Sequence, residues 1–260
     1  MIVDKRRAPG SMSELLGQLK KKVAFLRRTP FHPQWLLSTK FSTTSWVARN
    51  ARGVVLDIGC ADRWAERRLL PECRYLALDY PVTGAAIYRA RPDIFATASA
   101  LPLGDACIDT VLFLEVAEHL AEPDCAFAEI ARVIRPGGLL LMSVPFLYPI
   151  HDAPHDFQRY TEHGLTRRLE MAGLRVESLQ ATTSSLEAAG MLTCLALAGS
   201  AVESIRRRHL SMLLAPLLLL LVPAVNLGAW LMGMLLPHWP AFTAGYRIQA
   251  RRPASQASGS

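Results

Sequence analysis

The chain has few cysteines, and none is placed as disulfide frameworks or zinc sites require. Five cysteines are scattered over 260 residues without a CxxC pair. This odd number of isolated thiols argues against both kinds of site and favours a reducing compartment. We also expect no signal peptide, because DKRR near the N-terminus precedes a charged segment and not an apolar one. We therefore expect a cytoplasmic location.

Acidic residues are scarce at the N-terminus, where residues 1–30 carry eight Lys and Arg against two acids. This basic arm could face lipid or nucleic acid, and solvated charge is an equally good explanation. Apolar spacing predicts an amphipathic helix at 13–28 that ends before Pro30. Its apolar stripe could lie on a membrane or cover the folded domain.

Charge is absent from residues 210–236, and this stretch of 27 positions is longer than the roughly 20 residues that span a bilayer. A single span would place a final strand at 242–252 on the wrong side of the membrane. The sequence therefore predicts a re-entrant or in-plane hairpin, bent near Pro223, with the arginines at 206–208 held by anionic head groups. The alternative is an apolar lid or a dimer interface buried in protein.

Between these segments, apolar strands alternate with amphipathic helices. The pattern predicts an α/β fold with a doubly wound, mostly parallel sheet and a hydrophobic helical insertion before the last strand. The RPGG segment at 135–138 is expected to end the amphipathic helix at 123–134. The predicted strands are 54–58, 75–79, 94–97, 109–115, 139–145, 174–181 and 242–252, and the predicted helices are 63–70, 123–134 and 162–172.

Small residues follow the first of these strands, and acids end several of them. Asp57, Gly59, Cys60 and Ala61 form the end of strand 54–58 and a tight loop that a ligand can approach closely. Asp79 ends the next strand, where a carboxylate can accept hydrogen bonds from two ribose hydroxyls or cap a turn. Asp57 would repel a diphosphate, so the two acids favour an amino-acid-bearing nucleoside.

Four motifs carry a family resemblance: VLDIGCA, YLALDY, EVAEH and RVIRPGG. Over residues 54–181 the chain resembles class I S-adenosylmethionine-dependent methyltransferases of the type-11 subgroup. The resemblance implies a seven-stranded Rossmann-like sheet and S-adenosyl-L-methionine as cofactor. Arg63 stands where the family commonly has glycine, and Thr97 stands where an acid often contacts the adenine. The cofactor-binding residues expected on this basis are Asp57, Gly59, Cys60, Ala61, Asp79, Tyr80, Ala98, Ser99, Leu101 and Glu115.

Polar side chains are dense in the loop at 151–165. His151 or His155 could deprotonate an acceptor, with Asp152 or Asp156 orienting the imidazole, and Arg159 could hold an anionic substrate. The alternative is a structural loop in which Asp156 pairs with Arg159 and Thr161 caps the next helix. The His–Asp pairs lack a further ligand cluster, so no metal site is expected.

The resulting functional hypothesis is a methyltransferase that O-methylates an acceptor presented at the membrane surface. A lipid-linked glycan, a saccharide precursor or a quinone-like molecule would suit this location. The alternative is a non-catalytic binding protein of the same fold on a membrane assembly, motivated by Arg63 and Thr97. Nucleic acid is not expected as a partner, since the chain has no NPPY-type motif for a flipped base.

The expected organisation has three parts, with the enzyme attached peripherally or monotopically to the inner face of the membrane. The N-terminal basic helix and lead-in occupy 1–50, the methyltransferase domain 51–185 with 241–252, and the hydrophobic insertion 186–240.

Overall fold

The computed structural model describes residues 24–38, 43–84 and 90–254. By its internal contacts the chain divides into two units, which we call the sheet unit (41–182 with 242–260) and the hairpin unit (1–40 with 183–241). The helix predicted at 13–28 lies mostly outside the described residues. Its last residues form a short 3₁₀ helix, Ala24–Arg28.

The sheet unit contains a seven-stranded sheet in the order β3-β2-β1-β4-β5-β7-β6. Strands β1 to β5 pair in parallel, and β7 lies antiparallel between β5 and β6. The predicted doubly wound, mostly parallel sheet is therefore confirmed. Its strands are β1 (Val54–Ile58), β2 (Arg74–Asp79), β3 (Ile94–Phe95), β4 (Ile108–Leu114), β5 (Ile134–Pro145), β6 (Arg175–Ala181) and β7 (Gly245–Arg251), and its helices are α1 (Thr43–Asn50), α2 (Pro123–Val133) and α3 (Glu162–Met171).

Both faces of the central strands are buried, which explains their continuous apolar sequences. Side chains alternate between the faces along each strand. Leu56 and Phe113 belong to the larger core cluster, whereas Val55 and Leu112 pack on the other face beside Trp46 of α1. This two-sided burial fixes the strand register and hence the side chains that project from the strand ends.

Two local predictions in this unit are wrong. The helix expected at 63–70 is only one 3₁₀ turn, Glu66–Arg68, because Arg63 at its start is left-handed and Leu69 near its end is extended, conformations that a right-handed helix cannot include. The RPGG segment follows the end of α2 at Val133, as predicted, but the strand begins at Ile134 instead of 139, so RPGG lies within β5. There the pairing with β4 shifts register, with Gly137 at φ +81°.

The hairpin unit contains two long apolar helices, α4 (Ser185–Arg206) and α5 (Ala215–Leu235). A capping box formed by Ser184 and Glu187 begins α4. The helices pack antiparallel, with Cys194 Sγ 3.4 Å from Asn226 Oδ1. A Cβ added at Gly190 would lie 2.3 Å from the Cβ of Ala229, so glycine permits this close approach.

The bend predicted near Pro223 is wrong, because α5 continues through this proline. Val222 and Asn226 on either side of it are buried, which keeps this turn of the helix packed. The chain reverses instead at residues 207–214, where Arg208 has a left-handed conformation and a 3₁₀ helix, Leu210–Leu214, leads into α5.

Candidate active site

A cavity of about 610 Å³ opens at the carboxyl ends of β1, β2 and β4 in the sheet unit. Its volume lies in the range of about 300–1,000 Å³ that accommodates cofactors and small ligands. Trp64, Leu120 and Phe157 supply apolar wall. Seven predicted cofactor residues line the cavity: Gly59, Ala61, Asp79, Tyr80, Ala98, Ser99 and Glu115.

The loop after β1 folds back onto the end of β2. Gly59 donates its amide hydrogen to the carbonyl of Leu78 at 2.8 Å, and Ala61 donates to Asp79 Oδ2 at 2.9 Å. Gly59 has a φ of +79°, and a Cβ at this position would lie 2.5 Å from Val116 Cγ2. Both the backbone conformation and the space therefore require glycine here.

Asp79 is the acid that the fold places at the rim of the cavity. Its Oδ1 accepts a hydrogen bond from the Tyr80 amide at 2.8 Å, in addition to the Ala61 bond on Oδ2. A carboxylate has about four acceptor positions, and the Cys60 thiol, a weak donor 3.8 Å from Oδ2, faces a third, so acceptor capacity for a ribose remains mainly on Oδ1. Gly84 packs closely against the Asp79 side chain, because a Cβ added at Gly84 would lie only 2.6 Å from Oδ1.

Three predicted cofactor residues do not line the cavity. Asp57 accepts a hydrogen bond from the Tyr75 hydroxyl at 2.5 Å, and burial raises the pKa of its carboxyl to about 6. Burial raises the pKa of the Cys60 thiol to about 12, which makes it unreactive at neutral pH. Leu101 belongs to the core, and its amide donates to Glu129 Oε2 at 2.7 Å.

Arg63, which stands in a position where glycine is common, directs its side chain to groups outside the cavity lining. The guanidinium pairs with Glu66 at 2.9 Å and with Asp93 at 2.8 Å, and it lies 5.2 Å from the centroid of the Tyr75 ring. The arginine therefore ties the β1 loop to the segment that leads into β3.

Glu115 follows β4 and is exposed to the cavity. The surrounding protein displaces water from the Glu115 carboxyl and so raises its pKa. The Ser143 hydroxyl and the positive charges nearby lower it. Glu115, Ala61 and Asp152 all line the cavity with positive φ values of 56°, 44° and 50°. Such conformations cost about 1–2 kcal/mol each and are concentrated at functional sites.

The loop at 151–165 contributes to the opposite wall. His155 and Asp152 line the cavity, as does His119. Burial lowers the pKa of His119, so this imidazole is neutral at physiological pH. Of the two histidines predicted as the base, His151 and His155, only His155 lines the cavity.

The other predicted catalytic residues form a hydrogen-bonded group beside the cavity. Arg159 donates to both oxygens of Asp156, at 2.5 and 2.8 Å, and holds the pKa of Asp156 at about 2. The His151 amide donates to Asp156 at 2.9 Å. Thr161 accepts a hydrogen bond from Gly164 at 3.2 Å as the cap of α3. The contacts expected of a purely structural loop, the Asp156–Arg159 pair and the Thr161 cap, are therefore both present. Arg159 would have to break its bonds to Asp156 in order to bind a substrate.

Glu118 is a site residue that the sequence analysis did not single out. It lies in a 3₁₀ helix, Ala117–His119, with no exposed surface, and burial raises its pKa to about 9. Within the described part of the chain, neither of its carboxyl oxygens has a hydrogen-bond partner. The EVAEH motif contained the residue, but only the return of the 151–165 loop brings His151 to 3.9 Å from it.

Comparisons with known proteins find similarity to methyltransferases. Residues 56–142 match the family model described as a methyltransferase domain. A probable S-adenosylmethionine-dependent methyltransferase of Mycolicibacterium smegmatis is 34% identical over 134 residues, which cover 47% of this chain and 52% of the relative. Malonyl-acyl-carrier-protein O-methyltransferase of Hahella chejuensis is 35% identical over 98 residues, or 34% of this chain and 35% of that protein.

Two solved structures share the fold. A (4+2)-cyclase has a TM-score of 0.51 at 17% identity, over 94% of this chain and 97% of that chain. A chain from the complex of a Haloferax volcanii methyltransferase activator has a TM-score of 0.53 at 16% identity, over 90% and 95% of the respective chains.

The fold, the cavity and the family match point to the same class of protein. Residues 56–142 match the methyltransferase family model, and the chain is similar in fold and sequence to class I S-adenosylmethionine-dependent methyltransferases of the type-11 subgroup. S-adenosyl-L-methionine is the cofactor of this class. The chain spans about half the length, or less, of the curated relatives it matches.

Proposed function

We propose that this protein transfers the methyl group of S-adenosylmethionine to a hydroxyl oxygen of a small or lipid-linked acceptor. The observation that carries the proposal is the cavity itself. One wall is formed by the Gly59 loop, Asp79 and Glu115, and another by His155. A cofactor and an acceptor can therefore meet in one enclosed space.

The residues of the cavity have distinct roles in this proposal. Asp79 would accept the ribose hydroxyls, and the Gly59 loop would contact the methionine moiety. Bound S-adenosylmethionine supplies an activated methyl group, so alignment for in-line attack contributes most of the rate. His155 would accept the acceptor's proton, a contribution of about 10²–10⁴-fold. The name of the Hahella chejuensis relative, an O-methyltransferase, agrees with an oxygen acceptor.

The proposal further places the acceptor at a membrane surface, because the hairpin unit is strongly apolar. Both helices are long and apolar enough to cross a membrane by length and composition. Leucines on α5 face outward, with Leu220 69% and Leu235 66% exposed. The arginines at 206–208 end α4 at the turn of the hairpin. We infer an in-plane hairpin whose arginines contact anionic head groups on the cytoplasmic face.

Methyl transfer is tested with purified protein, tritiated-methyl S-adenosylmethionine and lipid extract, with the radioactivity followed into the lipid fraction. His155→Ala should lower the rate by at least about 100-fold and leave cofactor affinity unchanged. The exposed residue His163 provides the control, and His163→Ala should match the wild type. Cofactor binding without transfer to any acceptor class named above would favour the non-catalytic alternative.

Membrane attachment is tested by flotation with vesicles of neutral lipid and vesicles containing anionic lipid. The full chain should float with both, and more with the anionic vesicles. Leu220→Asp with Leu235→Asp should reduce flotation, whereas replacing the three arginines by glutamine should remove only the preference for anionic lipid. Flotation that survives deletion of residues 205–238 would refute the proposed role of the hairpin.

A further inference from the structure

Three side chains beside the cavity have the composition of a metal site. Glu118, His119 and His151 each offer one ligand atom, and these atoms lie within 4.8 Å of one another. His119 also lines the cavity. The group is therefore adjacent to the space in which the acceptor would bind.

The carboxyl of Glu118 is the first observation that points to a bound cation in this group. The residue has no exposed surface, and its two oxygens have no hydrogen-bond partner among the residues that the structure describes. A buried polar group without a hydrogen-bond partner is strongly unfavourable, because it has lost its water and gained nothing in exchange. A cation beside these oxygens would remove that cost.

The orientation of the two imidazoles is the second, independent sign. His119 Nδ1 lies 2.6 Å from the carbonyl oxygen of His155, which can only accept a hydrogen bond. Nδ1 therefore carries the proton, and the unprotonated Nε2 faces Glu118 Oε1 at 3.8 Å.

His151 repeats this arrangement. Its Nδ1 lies 3.3 Å from Asp156 Oδ2 and 3.3 Å from the Pro149 carbonyl, and both groups are acceptors. Its Nε2 is 3.9 Å from the same oxygen of Glu118. Histidine ligands commonly donate their other ring N–H to a carboxylate or a carbonyl, which fixes the tautomer for metal binding. In this arrangement the Asp156–Arg159 pair orients His151.

We propose that Glu118, His119 and His151 bind one divalent first-row transition-metal ion, such as Zn²⁺, Mn²⁺ or Fe²⁺, beside the acceptor space. Two imidazole nitrogens and one carboxylate oxygen suit these ions and leave positions open for a substrate. Bond lengths of about 2.0–2.1 Å at tetrahedral angles place ligand atoms about 3.3 Å apart. The separations of 3.8 and 3.9 Å thus need to shorten by roughly half an ångström.

The role of this ion rests on the proposed function. An acceptor hydroxyl bound to the ion would lose its proton more readily. The proton passes to His155, and a lone pair of the oxygen forms the new bond to the methyl carbon. The bond between that carbon and sulfur breaks, and its electron pair stays on sulfur to give the thioether product. No oxidant or reductant is required.

The test is a titration of the full-length, metal-stripped protein with Co²⁺, followed by visible absorption and by metal analysis. We expect one Co²⁺ per chain with absorption bands of a nitrogen–oxygen site. Glu118→Gln and His151→Ala should each weaken binding by at least about 10-fold, the effect typical of altered metal environments. His163→Ala is the matched control and should bind as the wild type does.

Each result decides the question. Absence of stoichiometric Co²⁺ binding, thiolate charge-transfer bands, or binding by the two site variants equal to that of the wild type would overturn the metal site. If Glu118→Gln does not fold, His151→Ala decides alone, since this side chain is 28% exposed. Methyl transfer that persists in a chelator, without metal binding, would refute this site and leave the proposed function intact. Metal binding without methyl transfer would do the reverse.

Discussion

Replacing Asp79 by asparagine removes one charge from the cavity while keeping the size of the side chain. Asp79 Oδ1 and Oδ2 each accept a backbone amide, from Tyr80 and Ala61 respectively. The asparagine amide group can satisfy only one of these donors. The other N–H is left facing an NH₂ group, so the free protein should lose about 1–3 kcal/mol of folding stability.

Cofactor affinity should fall by a similar amount. The asparagine has one acceptor oxygen where the carboxylate has two, so one of the two ribose hydroxyls loses a charge-assisted hydrogen bond. Such a bond contributes about 1.5–3 kcal/mol, which corresponds to an increase in Kd of about 10- to 150-fold. Asp79→Ala should have a larger effect because both acceptors are removed.

Isothermal titration calorimetry with S-adenosylmethionine and with S-adenosylhomocysteine measures this effect. The ribose is common to both ligands, so the loss of affinity should be equal for both. Asp62→Asn is the matched control, because Asp62 lies in the same loop but is 69% exposed and outside the cavity lining. If Asp79→Asn binds within about threefold of Asp62→Asn, the assignment of Asp79 to the ribose is incorrect.

Three further predictions concern other parts of the structure. Burial raises the pKa of Asp57 from its ordinary value of 3.8 to about 6, so folding favours its protonated form. The contribution of Asp57 to stability is therefore full below about pH 4 and is lost through pH 6, by roughly 3 kcal/mol. Asp57→Asn should flatten this decline in urea unfolding at about pH 5 and about pH 7.5, and an unchanged slope would contradict the argument. Gly84→Ala should displace the Asp79 carboxylate and weaken cofactor binding about 10-fold in calorimetry, and an unchanged Kd would show that the loop adapts. In α4, Gly190→Ala should lower the thermal unfolding midpoint, because the added methyl group would clash with the facing helix. Gly199 is the control: a Cβ there has no atom within 4 Å, so Gly199→Ala should raise stability by up to about 1 kcal/mol. Equal effects of the two substitutions would refute the packing argument.

The sequence predicted the sheet well because each central strand is buried on both faces. β1 matches its prediction at both ends, and the strand at 242–252 was correctly placed beside β6. The prediction of a helix at 63–70 was wrong because composition reveals neither the left-handed conformation of Arg63 nor the extended one of Leu69. Similarly, Pro223 suggested a bend, but packing on both sides of it allows the helix to continue.

For the candidate site, the sequence predicted the residues that the order of the strands brings together, but not those that a distant loop brings together. Gly59 and Asp79 follow or end adjacent parallel strands, so their convergence follows from the fold. The environment of Glu118 depends on a loop that begins only at His151, and no periodicity reports where such a loop returns. The orientation of His119 by the His155 carbonyl is likewise a tertiary contact that residue types alone do not encode.

The position of β7 in the sheet has a consequence for the order of events during synthesis. This strand lies between β5 and β6, yet it follows both α4 and α5 along the chain. Domains fold as their segments leave the ribosome, at about 5–20 residues per second. β5 and β6 therefore emerge without the strand that joins them, and the sheet cannot be completed until the apolar hairpin has emerged. The apolar hairpin is therefore exposed to its surroundings before the sheet that flanks it in the sequence is complete.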